Sequence, residues 1–417
     1  MTTLKILQGA NQIGGTVILI EGEKTKLLLD FGVPLTDSAG NSLNIDLKKV
    51  NIKDFLHENP DFNSKETLIF LSHAHPDHFG LLKFVDKKTP IYTSQITKEL
   101  LLKESELMFD NIFTDINLRV FRDVVETHDF KIKKYEVNHS IAGALAFEIE
   151  DKKSGKRIVY TGDLRLHGRD GDKITREIGS SPDYLIVEGT TLSRNSEEIY
   201  FSELDIEDKM YDIFSENKLS IVSFSPFNSD RLESVYNACI RAGKTFVIDP
   251  YTAYIMKSLK TRTFLSYDSY GIKVYCVSHP YSTKIFKNKD NKEFGLNKIS
   301  MDEITANPEK YVVKDNSRTT KFIADRVDLN SANIVYSYWE GYLNRKHLNK
   351  YSKNPLYKYK NKFIKIHTSG HIYQTDLKNF TNVLKPKKII PVHTISNDVF
   401  KKLYRGKIVQ KKEISIN

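Results

Sequence analysis

A chain of 417 residues with 40% hydrophobic residues is long enough for two packed cores, and it holds no short repeat or low-complexity tract pointing to a fibrous or disordered protein. Its 63 Lys+Arg against 53 Asp+Glu give a formal charge of +10 and a pI near 9.1, a balance that favours polyanionic partners. Two cysteines, Cys239 and Cys276, exclude a disulfide framework, and with neither a leader pattern nor a long apolar span the expectation is a soluble cytoplasmic protein without a membrane role.

In chain order, Met1–Ile6 enters a strand pattern at once, and Thr25-Lys-Leu-Leu-Leu-Asp30 reads as a strand ending in a turn aspartate. Thr67–Leu71 reads as a buried strand, and it runs into Leu71-Ser-His-Ala-His-Pro-Asp-His-Phe-Gly80, which crowds His73, His75, Asp77 and His78 into one loop. Phe79, Leu81, Leu82, Phe84 and Val85 then predict a helix packed on a sheet, so the polar cluster sits at a strand end, where α/β folds place their chemistry. In an extended turn side chains repeat every two residues, so His73 and His75 can grip one ion while Asp77 and His78 suit a second. Two divalent ions about 3.5–4 Å apart can hold a bridging hydroxide and clamp a phosphoryl or carbonyl group. A polar cluster behind an apolar strand is costly unless it binds something.

Further ligands occur in similar settings: His139 after Tyr135–Asn138, Asp163 after Arg157–Gly162, and His393 closing Lys388–Val392. Taken singly, a strand-end histidine is more often a hydrogen-bonded structural residue. Glu188 closes the strand pattern Tyr184–Val187, where a local cap or salt bridge is the plainer alternative to a catalytic role. Residues 1–195 alternate strands and polar loops. Residues 196–361 change to strand–helix alternation (Ser220–Phe224, Arg231–Ala242, Thr245–Ile248, Ala253–Leu259, Ile272–Val277, Asn333–Tyr338), a small doubly wound insert. Residues 362–417 return through Phe363–Ile366, a Gln374–Leu384 helix and Lys388–Val392 to finish the first domain. Lysines and aromatics interleave over Asn344–Lys365, a candidate RNA path, whereas Lys284–Lys292 reads mainly as an exposed loop.

His-x-His-x-Asp-His, followed by His139, Asp163 and His393, resembles the metallo-β-lactamase superfamily. That resemblance implies an α/β fold, an αββα sandwich with paired metals between the sheets. By the family pattern His73, His75 and His139 would hold one ion, Asp77, His78 and His393 the other, and Asp163 would bridge, with Asp30 supporting the loop from behind. Glu188-Gly-Thr-Thr and Ile366-His-Thr-Ser-Gly-His371 resemble the acidic and histidine motifs of the β-CASP nucleases, with Pro391-Val-His393 as the third. The wording is closest to the RNA-processing members such as ribonuclease J, so the insert is expected to be a β-CASP domain.

The resemblance implies a metal-dependent ribonuclease acting on single-stranded RNA, as 5′ exonuclease or endonuclease, through a two-metal-activated hydroxide. Asp77 would orient the water, and Glu188 with His371 would protonate the leaving oxygen, since a carboxylate beside an imidazole suits a general acid. Ser369 and Gly370, with Thr368, are expected to cradle phosphate ahead of the Gln374–Leu384 helix. Ser225, Asn228 and Arg231 of the Ser223–Arg231 loop resemble a ribonuclease J loop that contacts nucleic acid, although a helix N-cap accounts for Ser229 or Asp230 as well. Zinc is the expected metal, and manganese also fits the carboxylates. Ribonuclease J usually continues into a further C-terminal domain that aids dimerisation, so a homodimer is an open expectation. The alternative is a hydrolase of the same fold acting on DNA, a cyclic nucleotide or an ester.

Overall fold

The computed structural model describes residues 1–37, 39–54, 65–108, 111–194, 201–260, 262–276, 292–343 and 354–416. Its contacts divide the chain into two compact units, Met1–Glu198 with Gly370–Asn417, and Ile199–Ser369.

Among the described residues, the first unit contains two sheets. One joins β1 (Thr2–Gln8), β2 (Val17–Glu21), β3 (Thr25–Leu29), β4 (Glu66–Phe70), β5 (Ile91–Thr93) and β6 (Leu118–Val120), with β20 (Glu413–Ile416) outside β1. The other has the order β19 (Lys388–Val392), β11 (Tyr184–Glu188), β10 (Arg157–Tyr160), β9 (Leu145–Asp151), β8 (Phe130–Glu136) and β7 (Val124–Glu126). Strand β1 alternates buried and half-buried residues, whereas β3 is buried throughout, the pattern of a strand covered on both faces. Leu4, Ile18, Leu27, Phe70, Phe147, Ile158 and Ile186 belong to one core that draws on both sheets, each such side chain contributing about 1.5–3 kcal/mol by leaving water. A second core sets Val159, Leu185 and Ile389 of the β10, β11 and β19 strands against Leu377, Phe380 and Phe400 of the helices Gln374–Leu384 and Asn397–Leu403. This is the expected αββα sandwich.

Strand direction explains why distant loops converge. β3 and β4 run parallel, so the residues after them, Asp30 and the His73–His78 loop, leave the same edge of the first sheet. β10, β11 and β19 are also mutually parallel, so Asp163, Glu188 and His393 leave one edge of the second sheet.

Asp129 ties the two sheets at the β2–β3 turn. Its Oδ2 accepts the backbone N–H groups of Lys24 and Thr25 at 2.7 and 2.8 Å, and its Oδ1 lies 3.0 Å from His128 Nδ1. Burial pulls this carboxyl upward, yet the His128 ring and the two amides win and hold it at about 2, below the ordinary 3.8. A depressed carboxyl contributes stability above pH 4 that is lost as pH falls towards 2. Asp129→Asn is therefore expected to lose about 1 kcal/mol near neutral pH, with the difference from the parent shrinking between pH 4 and 2 in urea titrations. A pH-independent difference would show that the charge contributes nothing.

In the second unit, β12 (Ser220–Ser223), β13 (Thr245–Ile248), β14 (Ile272–Tyr275), β15 (Lys298–Ile299), β16 (Tyr311–Lys314), β17 (Asn333–Tyr336) and β18 (Ile364–Lys365) form, among the described residues, an all-parallel sheet in the order β15-β14-β13-β16-β12-β17-β18. The sequence reading missed β16, which lies between β13 and β12. It also placed the end of the insert at residue 361, but pairing of Tyr336 with Lys365 keeps the chain in the second unit to Ser369. The helix expected after His78 is a correction too. A single turn starts earlier, at Pro76–Phe79, and only a 3-10 turn, Leu82–Phe84, follows, because Phe79, Leu81 and Leu82 are buried on every side instead of forming one apolar stripe.

Candidate active site

The loop after β4 is held from below by Asp30, which sits at φ +58 just past β3. Its carboxylate accepts the Ser72 N–H at 2.6 Å, the Ser72 hydroxyl at 2.7 Å, the Tyr160 hydroxyl at 2.5 Å and the His78 Nδ1–H at 2.7 Å. A left-handed backbone at a residue with a side chain is strained, and Asp30 and His393 (φ +50) both adopt it at strand ends beside this site. Gly32 is required by a close approach: a Cβ there would stand 1.7 Å from the Asp77 carbonyl oxygen.

Three groups of side chains converge. His73, His75 and His139 form one, Asp77, His78, Asp163 and His393 a second, and Asp163, Glu188, His371 and His393 a third, each with one ligand atom per residue inside a 4.8 Å span. Asp163 is common to the last two, and its Oδ2 is also 4.0 Å from His73 Nε2 and 3.9 Å from His139 Nε2. Every metal-ligand candidate from the sequence therefore lies in one cluster. All but His75 are buried, and His75 and His371 are half-exposed.

The hydrogen bonds on the far ring nitrogens assign the tautomers. His139 donates its Nδ1–H to the Gly370 carbonyl at 2.6 Å, and His78 donates its Nδ1–H to Asp30. The Thr190 hydroxyl donates to Glu188 Oε2 at 2.7 Å and so accepts the His393 Nδ1–H at 2.8 Å. Each Nε2 then faces the cluster: that of His139 is 3.2 Å from His75 Nδ1, that of His78 is 3.2 Å from Asp163 Oδ2, and that of His393 is 2.9 Å from Asp77 Oδ2. Ring nitrogens and carboxylate oxygens crowded at this range call for positive charge among them, supplied either by ring protons on His78 and His393 or by a cation held by the cluster. Such outer hydrogen bonds are also what fixes metal-ligating imidazoles.

The two halves of the cluster differ in their electrostatics. Burial and neighbouring imidazoles hold His73 and His139 well below the usual histidine range and bring His75 down to about 4, so these rings offer neutral lone pairs. In the other half burial opposes charge, but Asp163, Asp30 and Asp77 together raise His78 well above its ordinary value, and Asp163 and Asp77 raise His393. Burial likewise pulls Asp163 upward, yet His393 and His78 hold it well below the carboxylate range. The residues present fit divalent metal.

Glu188 is fully buried and receives the Leu164 N–H at 3.0 Å, the Thr190 hydroxyl and, with both oxygens at 3.0 Å, the Nδ1 of His371. Gly370 lets the chain pass against Ser140, since a Cβ would lie 2.4 Å from the Ser140 side chain. Ser369 is buried in the segment that leads to Gly370. In the second unit Asn228, not Ser229 or Asp230, caps the helix Ser229–Arg241 by accepting the Arg231 N–H at 3.1 Å, and Ser225 is half-exposed. Arg231, offered above to substrate, is 1% exposed: Glu203 takes its Nε and Nη2 at 3.0 Å each and the Ser337 carbonyl takes Nη1 at 3.1 Å. Its guanidinium holds the loop from inside. Sequence reasoning missed Tyr160, Ser72 and Thr190, although Thr190 lies within the Glu188-Gly-Thr-Thr motif.

Residues 54–212 match the model of the beta-lactamase superfamily domain, and residues 358–397 match that of a Zn-dependent metallo-hydrolase RNA specificity domain. The first match makes residues 54–212 similar to a metallo-β-lactamase superfamily domain. Beyond those two segments the chain is similar to ribonuclease J proteins. It is 24% identical over 352 residues to ribonuclease J of Sinorhizobium meliloti, covering 78% of this chain and 57% of that protein. It is 23% identical over 402 residues to ribonuclease J of Helicobacter pylori strain B128, covering 94% of this chain and 56% of the other. The chain thus spans little more than half the length of these two relatives. An RNase J-like protein of Methanocaldococcus jannaschii is 25% identical over 440 residues, with 94% and 92% covered. In fold, all of the chain aligns with all of a crystal structure of a protein of unknown function from Enterococcus faecalis V583, at a TM-score of 0.77 and 19% identity. Among the described residues no helix is long and apolar enough to cross a membrane.

Asp30 gives the cluster a test that leaves every candidate ligand in place. Asp30→Asn is expected to lower metal affinity by about 10- to 100-fold through misorientation of His78, measured by competition with a chromogenic chelator. Unchanged affinity would remove Asp30 from the site.

Proposed function

We propose that the chain is a metal-dependent ribonuclease that hydrolyses phosphodiester bonds in single-stranded RNA, by 5′ exonuclease or endonuclease action. The observation that carries this reading is the buried ligand cluster with the His371–Glu188 pair beside Asp163, where His371 Nδ1 is 3.6 Å from Asp163 Oδ2. His73, His75 and His139 would hold one divalent ion, zinc by preference, and Asp77, His78 and His393 a second, with Asp163 between them. When bound, such a pair neutralises a phosphodiester oxygen and lowers the pKa of a water molecule.

The chain's own groups do the rest. Asp77, in contact with His393 and 4% exposed, is placed to orient the attacking water. As the water oxygen bonds to phosphorus and the P–O bond to the leaving ribose breaks, that ribose oxygen takes a proton. Glu188 accepts the His371 Nδ1–H, which leaves Nε2 of this 22% exposed ring as the atom that gives up a proton when the imidazole is protonated. Ser369 and Gly370, and separately Ser225 and Asn228, remain the candidates for backbone phosphate contacts. RNA is the proposed partner, and the matches to ribonuclease J together with the RNA specificity domain support it over DNA.

The test is an end-labelled single-stranded RNA with a 5′ monophosphate, run beside the matching DNA with zinc or manganese. Cleavage of RNA alone, abolished by chelation, supports the proposal, and the fragment ladder gives the direction of attack. Metal-loaded protein that cuts neither strand but hydrolyses a cyclic nucleotide or an ester would replace it.

A further inference from the structure

Trp339 is the sole tryptophan of the chain, yet it is 42% exposed, beside Tyr342 at 48%. Their rings meet edge to face with centroids 5.4 Å apart. The indole also lies across Gly341, where a Cβ would stand 2.3 Å from the six-membered ring. Glycine at 341 is thus what allows the ring to lie flat on the backbone. The root of this loop is fixed as well: the Ser337 carbonyl accepts from the buried Arg231 guanidinium and lies 3.1 Å from His367 Nδ1, and the Ser337 hydroxyl donates to the Ile366 carbonyl at 2.5 Å. A large aromatic surface is here held rigid towards solvent, the arrangement that minimises the ordering cost of binding a flat ligand.

Its surroundings favour one kind of ligand. Lys365 at the end of β18 reaches Glu340, next to the indole, as an ion pair, and the segment that leads into this strand carries exposed Lys358, Lys360 and Lys362. Within the lysine–aromatic strip expected from sequence, Arg345, Lys346, Lys350, Tyr351 and Lys353 lie outside the described residues. Tyr359 and Phe363 are packed on the core of the second unit, Phe363 stacking on Tyr336 at 5.3 Å. Those two rings therefore support the fold, whereas Trp339 and Tyr342 keep exposed ring surface.

We propose that Trp339 and Tyr342 form a stacking platform for an unpaired base of a single-stranded RNA whose phosphates run along the neighbouring lysines. This rests on the nuclease reading above and adds a binding subsite to it. Base–aromatic stacking is sequence-tolerant, so the platform would add affinity without selecting a base.

Because Trp339 is the sole tryptophan, its emission reports the contact directly. The full chain is titrated with a short phosphorothioate-linked oligoadenylate, which resists hydrolysis, and with an abasic oligomer of equal length and charge. Anisotropy of an end label on each oligomer gives total binding. Quenching that saturates in step with anisotropy for the oligoadenylate, and is weak for the abasic strand, is expected. Trp339→Ala should weaken oligoadenylate binding by about 5- to 100-fold, with Trp339→Phe retaining most of it. Gly341→Ala, which displaces the ring, should weaken binding in the same direction. Anisotropy showing tight binding with unchanged emission and a wild-type Kd for Trp339→Ala would overturn the platform and leave the nuclease reading standing. Neither binding nor cleavage of RNA would overturn both. A Trp339→Ala variant that binds RNA normally but loses self-association in sedimentation would assign the pair to a protein contact and overturn the proposal.

Discussion

His371→Ala is expected to keep its metal and lose about 10²–10⁴-fold in kcat on RNA, the size of effect that a positioned general acid supplies. The His371 ring is 22% exposed and is held through Nδ1 by both oxygens of buried Glu188. A proton on Nε2 matters only while the departing oxygen is basic. An aryl phosphodiester with an acidic phenol as leaving group should therefore lose far less than RNA does in the same variant. Metal content by plasma mass spectrometry separates this role from ligation, because His371 also falls in a potential ligand group with Asp163, Glu188 and His393. Equal losses on both esters, accompanied by loss of metal, would make His371 a ligand and leave the proton donor to be found elsewhere.

The contrast between Asp163 and Tyr160 shows what could be read in the sequence. Asp163, like His73, His139 and His393, is a polar side chain just past an apolar run, and that placement is unusual enough to mark it. Tyr160 closes the same strand, but within Arg157-Ile-Val-Tyr it looks like one more core residue, and only its hydroxyl contact with Asp30 reveals its role. Thr190 was hidden differently. Its position in the Glu188 motif was visible, but that it orients His393 depends on β11 and β19 lying side by side, which is long-range pairing.

Side-chain direction was the other limit. Arg231, in the first turn of the helix Ser229–Arg241, closes a segment whose wording resembles a nucleic-acid loop, and nothing local discloses that Glu203, in a helix that begins at residue 203, takes the guanidinium inward. The second sheet system was legible where a strand carried its own apolar run, as at Thr245–Ile248. It was not legible at β16, where the buried stretch Val312–Lys314 is too short to stand out from its polar flanks. Its identity as a strand comes from neighbours on both sides, β12 and β13.

Asp77→Ala should abolish cleavage with little loss of fold, a fall of roughly 10³-fold or more given that one preorganised electrostatic contact is commonly worth that much. The carboxylate is 4% exposed and lies 2.9 Å from His393 Nε2 and 3.7 Å from His78 Nε2. Burial raises its proton affinity, but His78 and His393 overcome this and keep it ionised. Removing it strips an anionic ligand from the half of the site that carries His78 and His393, while His73, His75 and His139 are untouched. Bound metal should drop towards half of the wild-type value, with the remainder retained on the histidine side. The fold should survive because the backbone at this position does the structural work: the Asp77 carbonyl accepts the Gly15 and Thr16 N–H groups, and alanine keeps that carbonyl. Melting temperature measured in chelator separates the two effects, since the metal-free proteins should unfold within a few degrees of each other. Full metal content with undiminished cleavage in Asp77→Ala would sink the assignment of the whole His73–His78 loop as the metal centre.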